Sequence, residues 1–371
     1  MESKILFILH FPPPIHGSSV VGQYIKNSKL VENAFDTKFV NLSTSLTIKE
    51  IGKNPIIKIA RYVKIIFKIL SALISFRPNT VYLAITAKGI GFYKDLPIAL
   101  LVKLFGNKLL LHFHNKGVSN YQHRPIDNSL YKILFKNSKV ILLSENLFKD
   151  ISKYVSKKDV YYCPNGIPVI EYSKNNLSLQ DKRTPQLLFL SNLIESKGVY
   201  VLLEALKLLK DKKVKFHCNI VGGEGDISSK QLRKKINNLN LNEHVNYLGK
   251  KSGNHKYDIL KSSDFFVFPT YYHNECFPIV LLEALMCGLP VISTDEGAIS
   301  DIVVNNETGF IIKKQNPDEL ALKIKWLIDH PEKAKSMGQN GKNRFLEKYT
   351  IEKFENRFVN ILNQINTSNS I

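Results

Sequence analysis

Two carboxylates in this chain stand at a spacing that could do chemistry. Glu275 and Glu283 are separated by seven residues. Ahead of them, Phe265-Phe266-Val267-Phe268-Pro269 is a short apolar run that reads as a buried strand. Pro278 suits the first turn of a helix, where a missing N–H has no intrahelical partner to lose. Leu281, Leu282, Ala284, Leu285 and Met286 continue that helix, Gly288-Leu289-Pro290 ends it, and Val291-Ile292-Ser293-Thr294 reads as a further strand. Glu275 therefore falls in a strand-to-helix loop and Glu283 about two turns into the helix. Eight steps at helical rise put them roughly 12 Å apart. The helix N-terminus between them offers free amides and a dipole that favour an anion. A carboxylate, an anion seat and a second carboxylate suit a ligand with hydroxyls at both ends and phosphate in the middle. A nucleotide-diphosphate sugar is such a ligand.

The elements that must position these groups alternate strand and helix along the whole chain. Lys4 to Leu9 reads as a first buried strand, followed by the loop His10-Phe11-Pro12-Pro13-Pro14-Ile15-His16-Gly17-Ser18-Ser19 and a helix opening at Val20. Strand, Gly/Ser turn and helix form a geometry for phosphate approach, because glycine at Gly17 lets backbone come close. Thr80 to Ile85, Leu109 to Phe113 and Val140 to Leu143 are further strands. The strand ending at Phe113 runs into His114, which a parallel sheet would deliver to the crevice at its strands' C-terminal ends. Residues 171–185 are polar and read as a linker. Beyond them, Gln186 to Ser191 is a strand, Asn192 to Gly198 a loop and Val199 to Leu209 a helix. His217 to Val221 runs into a glycine-rich turn at Gly222-Gly223, and Val245 to Lys250 is another strand with its loop. A short helix over Tyr257 to Ser263, a helix starting near Thr294, a late strand ending at Ile312 and a helical tail from Pro331 to about Asn363 complete the pattern.

At 371 residues, with 44% hydrophobic and 23% charged residues, the chain has material for two ordinary cores. The four cysteines, Cys163, Cys218, Cys276 and Cys287, lack metal-type spacing and fit a reducing compartment. No stretch reaches the eighteen uncharged apolar residues of a membrane span, and the opening run lacks the form of a signal peptide. The net charge of +20 is uneven: residues 1–180 hold 25 Lys+Arg against 10 Asp+Glu, about +15 of the total. That half is expected to meet an anionic partner. Helix-turn-helix, zinc-finger and aromatic–basic RNA patterns are missing, so nucleic acid is not expected. Pro55 to Phe76 is a long helix with Lys58, Arg61, Lys64 and Lys68 at 3, 3, 4 spacing, a basic stripe on an apolar helix. This predicts an anionic membrane surface as partner, with the protein peripheral on the inner face of the plasma membrane.

The segment from Glu275 through Glu283 to Ala-Leu-Met-Cys-Gly-Leu-Pro-Val, with Ser263-Asp264, Phe268-Pro269 and Gly309-Phe310 around it, resembles the signature of glycosyltransferase family 4. The resemblance implies an α/β chain of GT-B fold, with two Rossmann-like domains facing an interdomain cleft. Residues 1–170 would form an acceptor-side domain, 171–185 a linker, 186–345 a nucleotide-sugar-binding domain, and 346–371 a helix crossing back to the first. It also implies a retaining, metal-independent hexosyltransferase with no cofactor, taking UDP- or GDP-sugar as donor. The acceptor would be a glycan or polyprenyl-linked glycan in bacterial surface polysaccharide synthesis. Glu275 would hold donor-sugar hydroxyls and Glu283 the ribose. Backbone amides after Glu275, at Phe277, Ile279 and Val280, would hold phosphate or sugar. Lys197 would neutralise the diphosphate, His114 would lie near the reacting sugar, and Gly17, Gly222, Gly223 and Lys250 would line the donor. The chain departs from the family pattern at Asn192, where Arg is usual, and at Pro278, where a second Gly is usual. The first swap replaces a bidentate cation by a neutral amide. Two other classes stay open: an epimerase or phosphorylase on the same fold, and a catalytically silent membrane-binding scaffold.

Overall fold

In the computed structural model, which describes residues 3–13, 16–44, 55–170 and 184–367, the strand–helix alternation builds two six-stranded sheets, parallel throughout. The chain divides into two units, Met1–Gly166 with Ile351–Ile371, and Ile167–Thr350. Most of the expected linker, residues 171–183, and Pro14-Ile15 of the first loop lie outside the described residues.

The first unit contains strands β1 (Lys4–Leu9), β2 (Asp36–Asn41), β3 (Thr80–Ile85), β4 (Lys108–Phe113), β5 (Ser138–Leu142) and β6 (Val160–Tyr162), in the order β2-β1-β3-β4-β5-β6. Its helices are α1 (Gly17–Asn27), α2 (Lys29–Ala34), α3 (Pro55–Ser75), α4 (Gly89–Leu104), α5 (Val118–Tyr121) and α6 (Pro125–Phe135). β1 steps to β2 in one direction, whereas every later crossover steps the other way. Right-handed crossovers therefore put α1 and α2 on one face and α3, α4 and α6 on the other. β3 is buried along its whole length, as a central parallel strand covered on both faces must be.

The second unit follows the same plan. Its strands are β7 (Gln186–Leu190), β8 (His217–Val221), β9 (Val245–Tyr247), β10 (Phe265–Phe268), β11 (Val291–Thr294) and β12 (Gly309–Ile312), ordered β12-β11-β10-β7-β8-β9. The helices are α7 (Val199–Asp211), α8 (Ser229–Asn238), α9 (Gly253–Ser262), α10 (Ile279–Met286), α11 (Ile299–Ile302), α12 (Pro317–Asp329) and α13 (Pro331–Lys348). The last helix, α14 (Ile351–Thr367), belongs to the first unit and packs on α2; Thr80 Oγ1 donates to Asn366 Oδ1 at 2.8 Å.

Three expectations change. Pro278 caps α10 from outside with φ −71° and ψ 114°, so the helix starts at Ile279 and Glu283 sits little more than one turn in. The helix near Thr294 begins only at Ile299. The basic stripe of α3 faces outward only in its second half. Arg61 turns to bond the Thr44 carbonyl at 3.0 Å and Lys58 is half-buried, leaving Lys64 and Lys68 exposed. Ile65, Ile69, Ala72 and Leu73 bury the inner side, and Ile59, Val63 and Phe67 are exposed on the outer side beside Lys64 and Lys68.

Candidate functional site

Strand order selects where a ligand can sit. In the second unit β7 leads toward β8 and β9 on one side, while β10 leads toward β11 and β12 on the other. The topological switch therefore falls between β7 and β10, and the loops leaving their C-terminal ends diverge to frame a crevice. The loop after β7 carries Lys197 and the loop after β10 carries Glu275. Their side chains form an ion pair, Lys197 Nζ to Glu275 Oε2, with 15% and 9% of the side-chain surfaces exposed. The Lys197 ammonium also lies 4.4 Å from the centre of the Tyr272 ring, a cation–π contact. The two loops are tied by the Tyr271 amide donating to the Ser196 carbonyl at 2.7 Å.

Around this pair the backbone is drawn close. A Cβ on Gly222 would stand 1.7 Å from the Ser191 carbonyl oxygen, so the turn after β8 can press on the end of β7 only as glycine. Gly223 faces Asn192 and Lys250: a Cβ there would meet Asn192 Oδ1 at 3.5 Å and Lys250 Cδ at 3.7 Å. Asn192 and Lys250 are both exposed, so a cation flanks the neutral amide that stands where an arginine was expected.

Glu283 is 6% exposed and pairs with Lys256 Nζ, with the Tyr257 hydroxyl at 3.4 Å. The crossover from β9 to β10 puts α9 on the same face as α10, which brings these side chains together. Ile279 and Val280 open α10; no side chain caps that end and no acid lies in its first turn. Their amides have no acceptor within the helix. The Phe277 side chain is buried against Tyr349, ring centres 5.8 Å apart, so only its backbone can serve a ligand.

Lys256, Gly297 and Asn274 were not singled out from the sequence. Lys256 had no signal but its place in a short helix. Gly297 has φ +62°, and a Cβ there would stand 2.4 Å from the Glu275 carbonyl oxygen; the next amide, of Ala298, donates to the Cys276 carbonyl at 2.8 Å. The loop after β11 thus braces the backbone that presents Glu275. Asn274 Oδ1 is buried with no hydrogen-bond partner among the described residues.

In the first unit the same topological rule marks the ends of β1 and β3. His10 follows β1, its ring 5.6 Å from that of His16. His16 caps α1: its Nδ1 accepts from the Ser19 amide at 3.3 Å, and the Ser19 hydroxyl accepts from the His16 amide at 3.0 Å. Among the described residues a Cβ on Gly17 would meet nothing within 4 Å, so packing against them does not demand glycine there. His114 follows β4, its ring 4.1 Å from His112 on the same face of the strand. Burial, and then the neighbouring His16, hold His114 at about 4, below the usual imidazole range. Burial and the nearby Lys94 push His10 down to about 3. His112 is fully buried, held well below its usual range, and hydrogen-bonded to the Tyr82 hydroxyl at 2.6 Å. All three rings are neutral at pH 7. Among the described residues no group of His, Cys, Asp and Glu is arranged to hold a metal ion.

Solved structures share this fold. HepE of Anabaena in complex with UDP matches with a TM-score of 0.74 at 16% identity, covering 98% of this chain and 100% of that one. The fold is GT-B. Residues 170–344 match the family described as glycosyl transferases group 1, so the family match falls on the GT-B unit that carries Lys197, Glu275 and Glu283. The chain is similar to the D-rhamnosyltransferase WbpZ of Pseudomonas aeruginosa, 32% identical over 42% of this chain and 39% of that one. It is also similar to the capsular polysaccharide biosynthesis glycosyltransferase CapM of Staphylococcus aureus, 26% identical over 59% and 60% respectively. The chain spans less than two thirds of the length of each of these relatives.

Proposed function

We propose that this chain is a glycosyltransferase that moves a sugar from a UDP- or GDP-sugar to a glycan acceptor, lipid-linked and destined for a surface polysaccharide. The observation that carries this reading is the Lys197–Glu275 pair at the switch between β7 and β10, beside the uncapped start of α10, inside the segment that matches the group 1 family. Similarity to a UDP-bound GT-B protein and to a capsular polysaccharide enzyme supports the donor and acceptor classes.

In this reading the donor diphosphate takes Lys197 from Glu275 and lies against the amides of Ile279 and Val280. The leaving diphosphate gains charge as the anomeric bond breaks, and preorganised donors of this kind stabilise it. Glu275, released from its partner, accepts from donor-sugar hydroxyls, and Asn274 Oδ1 gains the hydrogen bond it lacks among the described residues. Glu283, held by Lys256, accepts from the ribose. Lys250 supplies beside Gly223 the positive charge that Asn192 does not. His114 is assigned to the reacting sugar as a neutral ring. We assign the family 4 pattern: retention by same-face attack through an oxocarbenium-like state, independent of metal.

The test is donor turnover by the purified chain with a panel of UDP- and GDP-sugars, read as nucleotide release with and without polyprenyl-linked glycan. Turnover of at least one donor is expected, reduced at least a hundredfold by Glu275→Ala. Undiminished turnover in that variant would overturn the site, and absence of binding to both UDP and GDP would overturn the activity.

A further inference from the structure

At the strand ends that carry the site, the second unit holds a buried ion pair to which donor binding gives no part. β11 ends at Thr294, and Glu296 follows in the loop before α11. The Glu296 side chain is 3% exposed, and its Oε2 stands 2.9 Å from Lys314 Nζ. Lys314 Nζ also lies 3.5 Å from Oδ1 of Asp295, whose side chain is exposed. Burial works against the charge on Lys314, yet Glu296 and then Asp295 hold its pKa above the usual lysine value.

Lys314 is a fixed anchor. It lies in the turn between β12 and α12, where the Lys313 amide donates to Glu319 Oε2 at 3.0 Å and the Glu319 amide donates to Asn316 Oδ1 at 3.0 Å. What it anchors is the support of Glu275. Thr294 Oγ1 donates to the Thr270 carbonyl at 2.5 Å, at the start of the loop after β10. The Ala298 amide donates to the Cys276 carbonyl at 2.8 Å, toward the end of that loop. Between these two tethers Gly297 lies so close to the Glu275 carbonyl that a Cβ would not fit. Glu296 precedes Gly297 and ties its loop to the turn after β12.

Stability alone does not call for this pair. A buried carboxylate is costly unless paired, and a buried ion pair is often no better than apolar side chains of similar volume. What the pair adds is direction: a charge-assisted hydrogen bond holds the loop at one distance and angle, where an apolar contact tolerates several.

We infer that Glu296 and Lys314 are positioning residues for donor-sugar recognition: their pair sets the loop after β11, and that loop sets the backbone from which Glu275 meets the sugar hydroxyls. The inference rests on the sugar-transfer reading of Glu275. It gives the pair no contact with the nucleotide, whose ribose and diphosphate are assigned to other residues.

The test compares the parent with Lys314→Met, Lys314→Arg, the double variant Lys314→Met with Glu296→Gln, and Lys313→Met as a neighbouring-charge control. Four quantities are measured on the full chain well below its melting transition: kcat with the donor that the parent turns over, Kd for UDP and GDP, melting temperature, and hydrogen exchange at the Glu275 and Ala298 amides. A misplacement near 1 Å costs up to about a hundredfold in rate, so Lys314→Met is expected to lower kcat by about tenfold to a hundredfold, with nucleotide Kd within about twofold of the parent. Both amides should exchange at least about tenfold faster. Lys314→Arg keeps a cation in the pair and should recover most of the rate, and Lys313→Met should match the parent. The double variant removes the buried charge along with its cation, so melting temperature should return while kcat stays low. If Lys314→Met does not fold, the double variant carries the same comparison. The inference is overturned if Lys314→Met keeps the parent's kcat, if nucleotide Kd weakens as much as kcat falls, or if the double variant regains rate and melting temperature together. Failure of the transfer reading looks different: the parent then binds neither nucleotide and turns over no donor. Exchange at the two amides still decides the bracing in that case, and unchanged exchange in Lys314→Met overturns it.

Discussion

Cutting the Lys197–Glu275 pair at one end should cost stability, and cutting it at both ends should return most of it. Glu275 keeps only 9% of its side-chain surface exposed, so Lys197→Met strands a carboxylate with little access to water. Breaking a buried ion pair at one partner costs roughly 3–5 kcal/mol. With 15% of the Lys197 side chain exposed, the lower end of that range applies, about 3 kcal/mol for either Lys197→Met or Glu275→Gln. The double variant leaves no charge unpaired and is expected within about 1 kcal/mol of the parent, since a buried pair is often no better than neutral groups of similar size. Urea unfolding followed through Trp326 is the assay. That residue is the chain's single tryptophan, and it packs edge-on to Phe310 in the same unit, ring centres 5.1 Å apart. Donor turnover is measured alongside. All three variants should lose turnover while only the single ones lose stability, which separates the role of the pair in the site from its role in the fold. Single variants within about 0.5 kcal/mol of the parent, or losses that simply add in the double variant, would refute the reasoning.

Three further outcomes are expected. His10 and His114 are held near 3 and 4, below the ordinary imidazole value, so the unfolded chain binds more protons as pH falls below about 6.5. Stability of the first unit is therefore full above that pH and lost on acidification, by about 2 kcal/mol per histidine between pH 7 and 5. Hydrogen exchange in β1 and β4 should report the loss while Trp326 fluorescence, in the other unit, holds steady; equal sensitivity of both would contradict it. Lys256→Met should raise KM for the donor about tenfold with kcat little changed, because it weakens a carboxylate assigned to ribose binding rather than to the reacting bond. Gly297→Ala places a Cβ at positive φ and 2.4 Å from the Glu275 carbonyl, so it should cut turnover at least tenfold and lower the melting temperature. Wild-type turnover in that variant would show that the brace is dispensable.

Much of the second unit was legible because its signals are local. The apolar run before Glu275, the proline that opens α10 and the Gly288-Leu289-Pro290 stop are each read within a few residues, and the structure keeps them with a shift of one residue at the helix start. The Gly222-Gly223 turn is read the same way, whereas Lys197 stands out only through the family pattern it resembles. What could not be read was pairing across the sheet. Lys197 and Glu275 are 78 positions apart, and Lys256 and Glu283 are 27 apart, joined only because strand order puts their loops and helices side by side. Gly297 looks like any turn glycine until the backbone it presses against is known.

The first unit shows the other limit. Spacing of lysines on α3 gave a basic stripe, yet spacing fixes which residues share a face and not which face turns inward. Packing against the sheet made that choice: it buried Ile65 and Ile69, drew Arg61 to the Thr44 carbonyl, and left Phe67 outside. From composition and order alone came the alternating α/β pattern, the acidic pair with its helix start, and the cationic imbalance of the first half, because these depend on residue types and short-range geometry. The tertiary structure decided the ion pairs, the neutral histidines and which apolar residues of α3 stay exposed, because each depends on burial and on partners that only the folded chain brings within reach.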